Sequence, residues 1–261
     1  MYRWLVLGLG CALLGGCTPA AQQPTRDITV FAAASLRDAF SELGAAFEQA
    51  HPGTHVSFNF GASSQLRAQL EQGARADVFA SADLDQMAAP ERAGLLVGPS
   101  RVFATNRLVI VTPRDNPGGI HALEDLGRPG VKLVTSQPGV PIGQYSQAVL
   151  QKAAANPRFG ADFPARVERN VVSRVDDVRA ILATVQLGEA DAGLVYVSDV
   201  TPKQRDQLRL IPIPDELNIL ASYPIAVTHG PNPDGGQAFV DFVLSPTGQA
   251  TLARWHFSTS A

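Results

Sequence analysis

The stretch Val30-Phe31-Ala32-Ala33-Ala34-Ser35-Leu36-Arg37-Asp38-Ala39-Phe40 carries the chain from a short apolar run straight into a helical pattern. Ile28 to Ala33 reads as a strand. From Ser35 to Gln49 the residues Leu36, Ala39, Phe40, Leu43, Ala46 and Phe47 recur at three-four spacing, one face of a helix. Ser35 stands at the joint, where unpaired amides and the helix dipole both favour negative charge. A single joint of this kind is common in α/β proteins, but this sequence holds at least three more.

The alternation continues outward. His51-Pro52-Gly53 stops the first helix, Val56, Phe58 and Phe60 alternate as a strand, and Ser63 or Ser64 caps a helix reaching Gln72. Val78 to Ala80 is a short strand, followed by a short helix from Ala82 to Ala88. This β-α-β-α-β order implies a parallel sheet with its loops at the carboxyl edge. The β-branched run Leu108 to Thr112 ends in Pro113 and the breaker cluster Asn116-Pro117-Gly118-Gly119, which reads as the crossing into a second domain. Beyond it the pattern predicts strands at Lys132–Thr135, near Val167–Val172, at Ala192–Val197 and at Leu208–Ile213, with helices at Pro141–Ala154 and Val175–Leu187. A return strand at Tyr223–Val227 and helices at Gly236–Leu244 and Thr247–Trp255 close the chain against the first domain.

With 261 residues, 45% of them hydrophobic and 17% charged, the chain can bury one large core or two medium ones. Arg3, the apolar run Trp4 to Leu14 and then Leu14-Gly15-Gly16-Cys17 form a secretion signal whose core is short of the roughly 20 residues of a membrane span. Leu at −3 and Gly at −1 before a cysteine resemble a bacterial lipobox, which makes 1–16 a lipoprotein signal peptide and Cys17 the lipidated N-terminus. An uncleaved apolar anchor, or cleavage after Ala20 or Ala21, is the plainer alternative. Residues 17–26, rich in Pro, Gln and Ala, read as a tether. Cys11 lies inside the signal, so the mature body has neither a disulfide nor a thiolate metal site. Cleavage removes Arg3 and takes the formal net charge from −3 to −4, so any anion site must work locally and nothing points to nucleic acid.

No phosphate-binding glycine loop, dinucleotide fingerprint, zinc-protease helix or nucleophile elbow is present. The histidines at 51, 55, 121, 229 and 256 lack a spaced partner and sit beside turns or termini, which favours solvent-facing roles over metal or nucleophilic chemistry. What remains is the set of helix starts. Ser63 follows the strand ending at Phe60, where its plain role is an N-cap. Pro141 suits the first position of a helix and leaves the amides of Ile142 and Gly143 free. Ser173 and Asp176 have capping-box spacing ahead of Val178, which can serve a ligand only through its backbone. Asp176 reads as the cap and Asp177 as outward-facing. Tyr196 ends a buried strand, and alone it reads as a half-buried packing residue with its hydroxyl at the surface.

Taken in order, F-A-A-A-S-L (31–36), A-S-S-Q-L (62–66), A-D-V-F-A-S-A-D (76–83), G-V-P-I-G-Q-Y (139–145), D-D-V-R-A-I-L (176–182) and G-L-V-Y-V-S-D (193–199) resemble the molybdate-binding proteins of bacterial ABC importers from Ile28 to the C-terminus. That resemblance implies an α/β fold of the type II periplasmic-binding class, two lobes with mixed, mainly parallel sheets joined by a two-strand hinge. The lobes would be 27–108 with 224–261, and 109–223. It implies a cleft in which a tetrahedral oxyanion, molybdate or tungstate, is held by the hydroxyls of Ser35, Ser63 and Tyr196 and the backbone N–H groups of Ile142 and Val178. Ile142 stands where relatives often have Ala, which keeps the donor but changes the side chain. No cofactor, metal ion or catalytic residue is implied. The implied partners are an importer permease and the oxyanion, for a monomer outside the cytoplasm that meets the membrane only through its lipid.

A donor-only site suits this class of ligand. A buried dianion needs many oriented donors, and helix N-termini provide them. Sulfate, being smaller, would leave donors unmet at about 1–3 kcal/mol each. Phosphate carries a proton near neutral pH and would need an acceptor. The rival readings are a binding protein for sulfate, thiosulfate or phosphate; a secreted hydrolase with Ser35 or Ser63 as nucleophile, for which no histidine is placed; and a regulator's effector lobe, which the signal and the missing helix-turn-helix disfavour.

Overall fold

The computed structural model describes residues 26–259; the signal peptide, Cys17 and nearly all of the tether lie outside the described residues. Arg26, counted above with the tether, already pairs with Thr54 at the start of the first strand. Nine strands form, β1 (Arg26–Ala33), β2 (Thr54–Gly61), β3 (Val78–Ala80), β4 (Arg101–Pro113), β5 (Leu133–Ser136), β6 (Val171–Val175), β7 (Ala192–Tyr196), β8 (Leu208–Pro212) and β9 (Leu220–Val227). The helices are α1 (Arg37–Ala50), α2 (Ser63–Glu71), α3 (Leu84–Arg92), α4 (Pro141–Ala154), α5 (Phe163–Arg169), α6 (Val178–Gln186), α7 (Pro202–Arg205), α8 (Pro233–Leu244) and α9 (Pro246–Arg254).

Two sheets share one strand. In the first, β1 lies between β2 and β3, parallel to both, and β9 and the start of β4 extend it antiparallel. In the second, β5 lies parallel between β6 and β7, and the end of β4 pairs antiparallel with β7 and β8. β1 is central because Ile28, Val30 and Ala32 are wholly buried, as a strand covered on both faces requires. α1 buries Ala39, Phe40, Leu43 and Phe47 against it, and Phe40 and Phe47 meet Phe239 of α8 edge-on.

The chain passes between the sheets inside β4, ahead of the breaker cluster: residues up to Arg107 pair with β9, and from Leu108 onward with β7 and β8. The cluster at Asn116 is an internal turn of the second half, where the Asn116 amide bonds both the N–H and the carbonyl of Ile120. The return is complete by Leu220, because β9 pairs with Arg107 from its first residue. Just before it, Asn218 stands in for a strand: its Nδ2 donates to the Leu108 carbonyl at 2.9 Å and its Oδ1 accepts the Leu108 N–H at 3.2 Å.

Several predicted boundaries move. The apolar run near Val167–Val172 splits into the end of α5 and the start of β6, whose pairing with β5 carries it on to Val175. That pairing holds Ser173 in the ladder, so the next helix starts at Val178. Its cap is Asp177, whose Oδ1 accepts the Ala180 N–H at 2.9 Å, while Asp176 is exposed. The short helix placed at Ala82–Ala88 runs instead from Leu84 to Arg92, capped by Asp83 on the Gln86 N–H.

Candidate functional site

Six strand ends and the elements that follow them meet in one cavity between the sheets. It is lined by Ala33, Ala34 and Ser35 after β1, Gly61 to Ser63 after β2, Ala82 after β3, Val140 to Ile142 at the start of α4, Asp177 and Val178 at the start of α6, and Tyr196. All five residues singled out in the sequence, Ser35, Ser63, Ile142, Val178 and Tyr196, therefore face the same space. The space among these residues amounts to about 220 Å³, its open mouth included. Small residues on the β1, β2 and β3 side (Ala33, Ala34, Gly61, Ala62, Ala82) bring backbone close to it.

The two serines do not act as helix caps. Ser35 lies in a 3₁₀ turn, Ala34–Leu36, that tightens the exit from β1 before α1 begins. Its Oγ is buried 3.0 Å from the hydroxyl of Tyr223 in β9. Ser63 is the first residue of α2, with Ala62 as N-cap, and its Oγ accepts the Ala82 N–H at 3.0 Å. That bond leaves the Ser63 hydrogen unused by the acceptor role. Neither hydroxyl bonds a histidine or a carboxylate, and all five histidines are exposed, so the nucleophile–base pair of a hydrolase is not assembled.

On the facing half, Ile142 is the second residue of α4 and Val178 the first of α6, so their N–H groups belong to the first-turn amides without an intrahelical acceptor. Gly139 makes the turn into α4 with φ +85°, and Gly143 lets that first turn press onto β5: a Cβ there would lie 2.4 Å from Ser136 Oγ. The Ile142 side chain joins the buried apolar core. Tyr196 is 1% exposed, and its hydroxyl has no hydrogen-bond partner. Burial, with Tyr223 and Tyr145 adding to it, pushes that phenol well above its usual pKa and keeps it a protonated donor. The hydroxyl is thus not at the surface, where a plain packing role would leave it.

No lysine or arginine lines the cavity among the described residues; its one charged member is Asp177, whose expected outward position is corrected by its role as the α6 cap. The dipoles of α2, α4 and α6 point their positive ends inward. Two contacts beside the cavity bridge the halves. Arg179 of α6 donates to Asp38 of α1 at 2.5 Å, and Gln86 of α3 donates to the Gly139 carbonyl at 3.2 Å. Arg179 Nε also lies 3.3 Å from the buried Asp199 Oδ1, within ion-pair range but off hydrogen-bond angle.

The sequence reading missed Tyr223, Asp177 as a wall, and the Arg179–Asp38 bridge. Only Asp177 had a local signal, as the acidic residue immediately before Val178.

The family of bacterial extracellular solute-binding proteins matches residues 28–258. The chain belongs to that family. Among curated relatives, the molybdate-binding protein ModA of Mycobacterium tuberculosis is 38% identical over 98% of this chain and 99% of its own. Among solved structures, the periplasmic molybdate-binding protein of Azotobacter vinelandii superposes with a TM-score of 0.76 at 19% identity, over 90% of this chain and all of the other. The sulfate-binding protein SubI of M. tuberculosis gives 0.81 at 20% identity, over 89% of this chain and 86% of its own. At those identities the superpositions establish the type II periplasmic-binding fold. The relatives are solute-binding proteins and not enzymes. Among the described residues no helix is long and apolar enough to cross a membrane.

Proposed function

We propose that this solute-binding protein captures molybdate, and tungstate with it, and delivers the anion to the permease of an ABC importer. One observation carries the reading: Tyr196, whose buried hydroxyl has no hydrogen-bond partner among the described residues, lines a cavity where three helix N-termini and two serine hydroxyls converge. The proposed donors are the hydroxyls of Ser35, Ser63 and Tyr196 and the backbone N–H groups of Ile142 and Val178. The likeness to molybdate-binding proteins over the whole chain supports the choice of anion. Neutral donors at fixed positions select by size, so sulfate leaves some unmet at about 1–3 kcal/mol each, and two such losses give tenfold selectivity or more. The protein acts as a monomer held outside the cytoplasm by a lipid on Cys17, with the lobe that holds β1 to β3, α8 and α9 closing on the lobe that holds β5 to β8 around the anion.

Calorimetric titration of the mature chain without Cys17 tests the reading. Tight one-to-one binding of molybdate that survives excess sulfate and phosphate is the expected result. Absence of heat, or ready displacement by sulfate, refutes the assignment. Ser35→Ala combined with Ser63→Ala is expected to weaken binding at least tenfold with the fold retained, and unchanged affinity would place the site elsewhere.

A further inference from the structure

We propose that Tyr223 is a positioning residue that fixes Ser35 as a hydrogen-bond donor to the bound oxyanion, an inference that rests on the reading of Ser35 as a ligand contact. The two hydroxyls lie 3.0 Å apart, both shielded from solvent, at the meeting of β9 with the turn after β1. A serine hydroxyl can donate or accept, and its neighbours decide which.

Asn106 neighbours the phenol. It sits in β4, one residue before Arg107, the last to pair with β9, and is buried. Its Oδ1 accepts the Arg107 N–H at 2.9 Å, which fixes the orientation of the amide. Its Nδ2 then donates across to Ser198 Oγ at 2.8 Å, and Asn106 partly offsets the burial that raises the Tyr223 phenol's pKa. Among the described residues, the oxygen within hydrogen-bond reach of the Tyr223 hydroxyl is Ser35 Oγ. The phenol is also the more acidic of the two hydroxyls and so the better donor. Ser35 thereby accepts from Tyr223, and its single hydrogen is left for the cavity.

The consequence is a chemical selectivity separate from size. A Ser35 locked as donor serves an oxyanion whose oxygens carry no proton. Hydrogen phosphate brings an O–H that needs an acceptor, and a locked Ser35 cannot offer one. Once the phenol is gone, Ser35 is free to rotate and accept from that O–H.

The test is a set of four proteins, the parent, Tyr223→Phe, Ser35→Ala and the double variant. Each is titrated with molybdate alone and in the presence of sodium phosphate at neutral pH. Phenylalanine retains the ring that packs against Phe103 and Phe257, and thermal denaturation confirms that Y223F folds. Y223F is expected to bind molybdate about two- to tenfold more weakly, the range for one hydrogen bond, while phosphate competes more strongly than in the parent. In the Ser35→Ala background the same change should alter neither quantity. Equal weakening toward both anions, or the same effect with and without Ser35, would reduce Tyr223 to a packing residue and overturn the proposal. Unchanged molybdate affinity in Ser35→Ala alone would instead overturn the reading of the site, an outcome visible without reference to Tyr223.

Discussion

Removing the hydroxyl of Tyr196 should make the empty protein more stable and a poorer binder. This O–H is buried, protonated and without a hydrogen-bond partner among the described residues. An unsatisfied buried donor costs about 1–3 kcal/mol, and water that reaches the cavity recovers part of it, so about 1 kcal/mol is the working figure. In a protein of this size that corresponds to roughly 2–4 °C in Tm. Phenylalanine preserves the edge-on packing against Tyr145 and Tyr223, at centroid distances of 6.4 and 5.7 Å, so no void offsets the gain. With the anion bound the sign reverses. A hydrogen bond to a charged acceptor is worth about 1.5–3 kcal/mol, so Y196F should bind molybdate roughly ten- to 150-fold more weakly. Thermal denaturation with and without molybdate, together with calorimetry, measures both effects on one variant. A Y196F protein that melts lower when empty, or binds as tightly as the parent, would refute the reasoning.

Three further outcomes are expected. Val178→Pro removes only an N–H at the first position of α6, where proline is tolerated, and Asp177 before it is already extended (φ −153°, ψ 175°). It should fold and lose at least tenfold in molybdate affinity by calorimetry, whereas Val178→Ala should stay within a few-fold of the parent. Asp38→Asn breaks the bridge to Arg179, which keeps Asp199 as a partner, so about 1 kcal/mol of closed-state stability should go; stopped-flow release of the anion should quicken several-fold, and an unchanged rate would rule the bridge out as a latch. Burial pushes the Asp83 carboxyl up to about 6, against the opposing Gln86 N–H. The folded state then holds a proton that the unfolded chain has released, so this group's contribution falls as pH rises from about 4 through 6, by on the order of 3 kcal/mol. Asp83→Asn, which keeps the cap, should flatten that fall in urea unfolding measured at pH 4.5 and 7; an unaltered slope would assign it to other groups.

Strand-to-helix joints were legible because they depend on local pattern: an apolar run, a small or hydroxyl residue, then three-four spacing. The positions of the Ile142 and Val178 amides follow from where α4 and α6 begin, and Pro141 marks one of those starts directly. The work of each hydroxyl was not legible, because a shift of one or two residues in a helix start turns a cap into a cavity donor. Ser63 is the first residue of α2 and not its cap; Asp177 caps α6 and Asp176 does not. The crossing inside β4 left no punctuation, since a continuous β-branched strand reads alike whichever partner it pairs with. Least legible were the contacts that join distant segments. Ser35 and Tyr223 are 188 residues apart, and Arg179 and Asp38 are 141 apart; no periodicity links them. These long-range contacts decide how the site works. The backbone amides arrive with the fold, largely whatever side chain stands at Ile142 or Val178. By contrast, the direction of the Ser35 hydrogen and the closure over the cavity each depend on a single side chain brought from another part of the chain. Substitutions at Tyr223 or Asp38 can therefore retune this binding protein while all five of its proposed ligand contacts keep their residues.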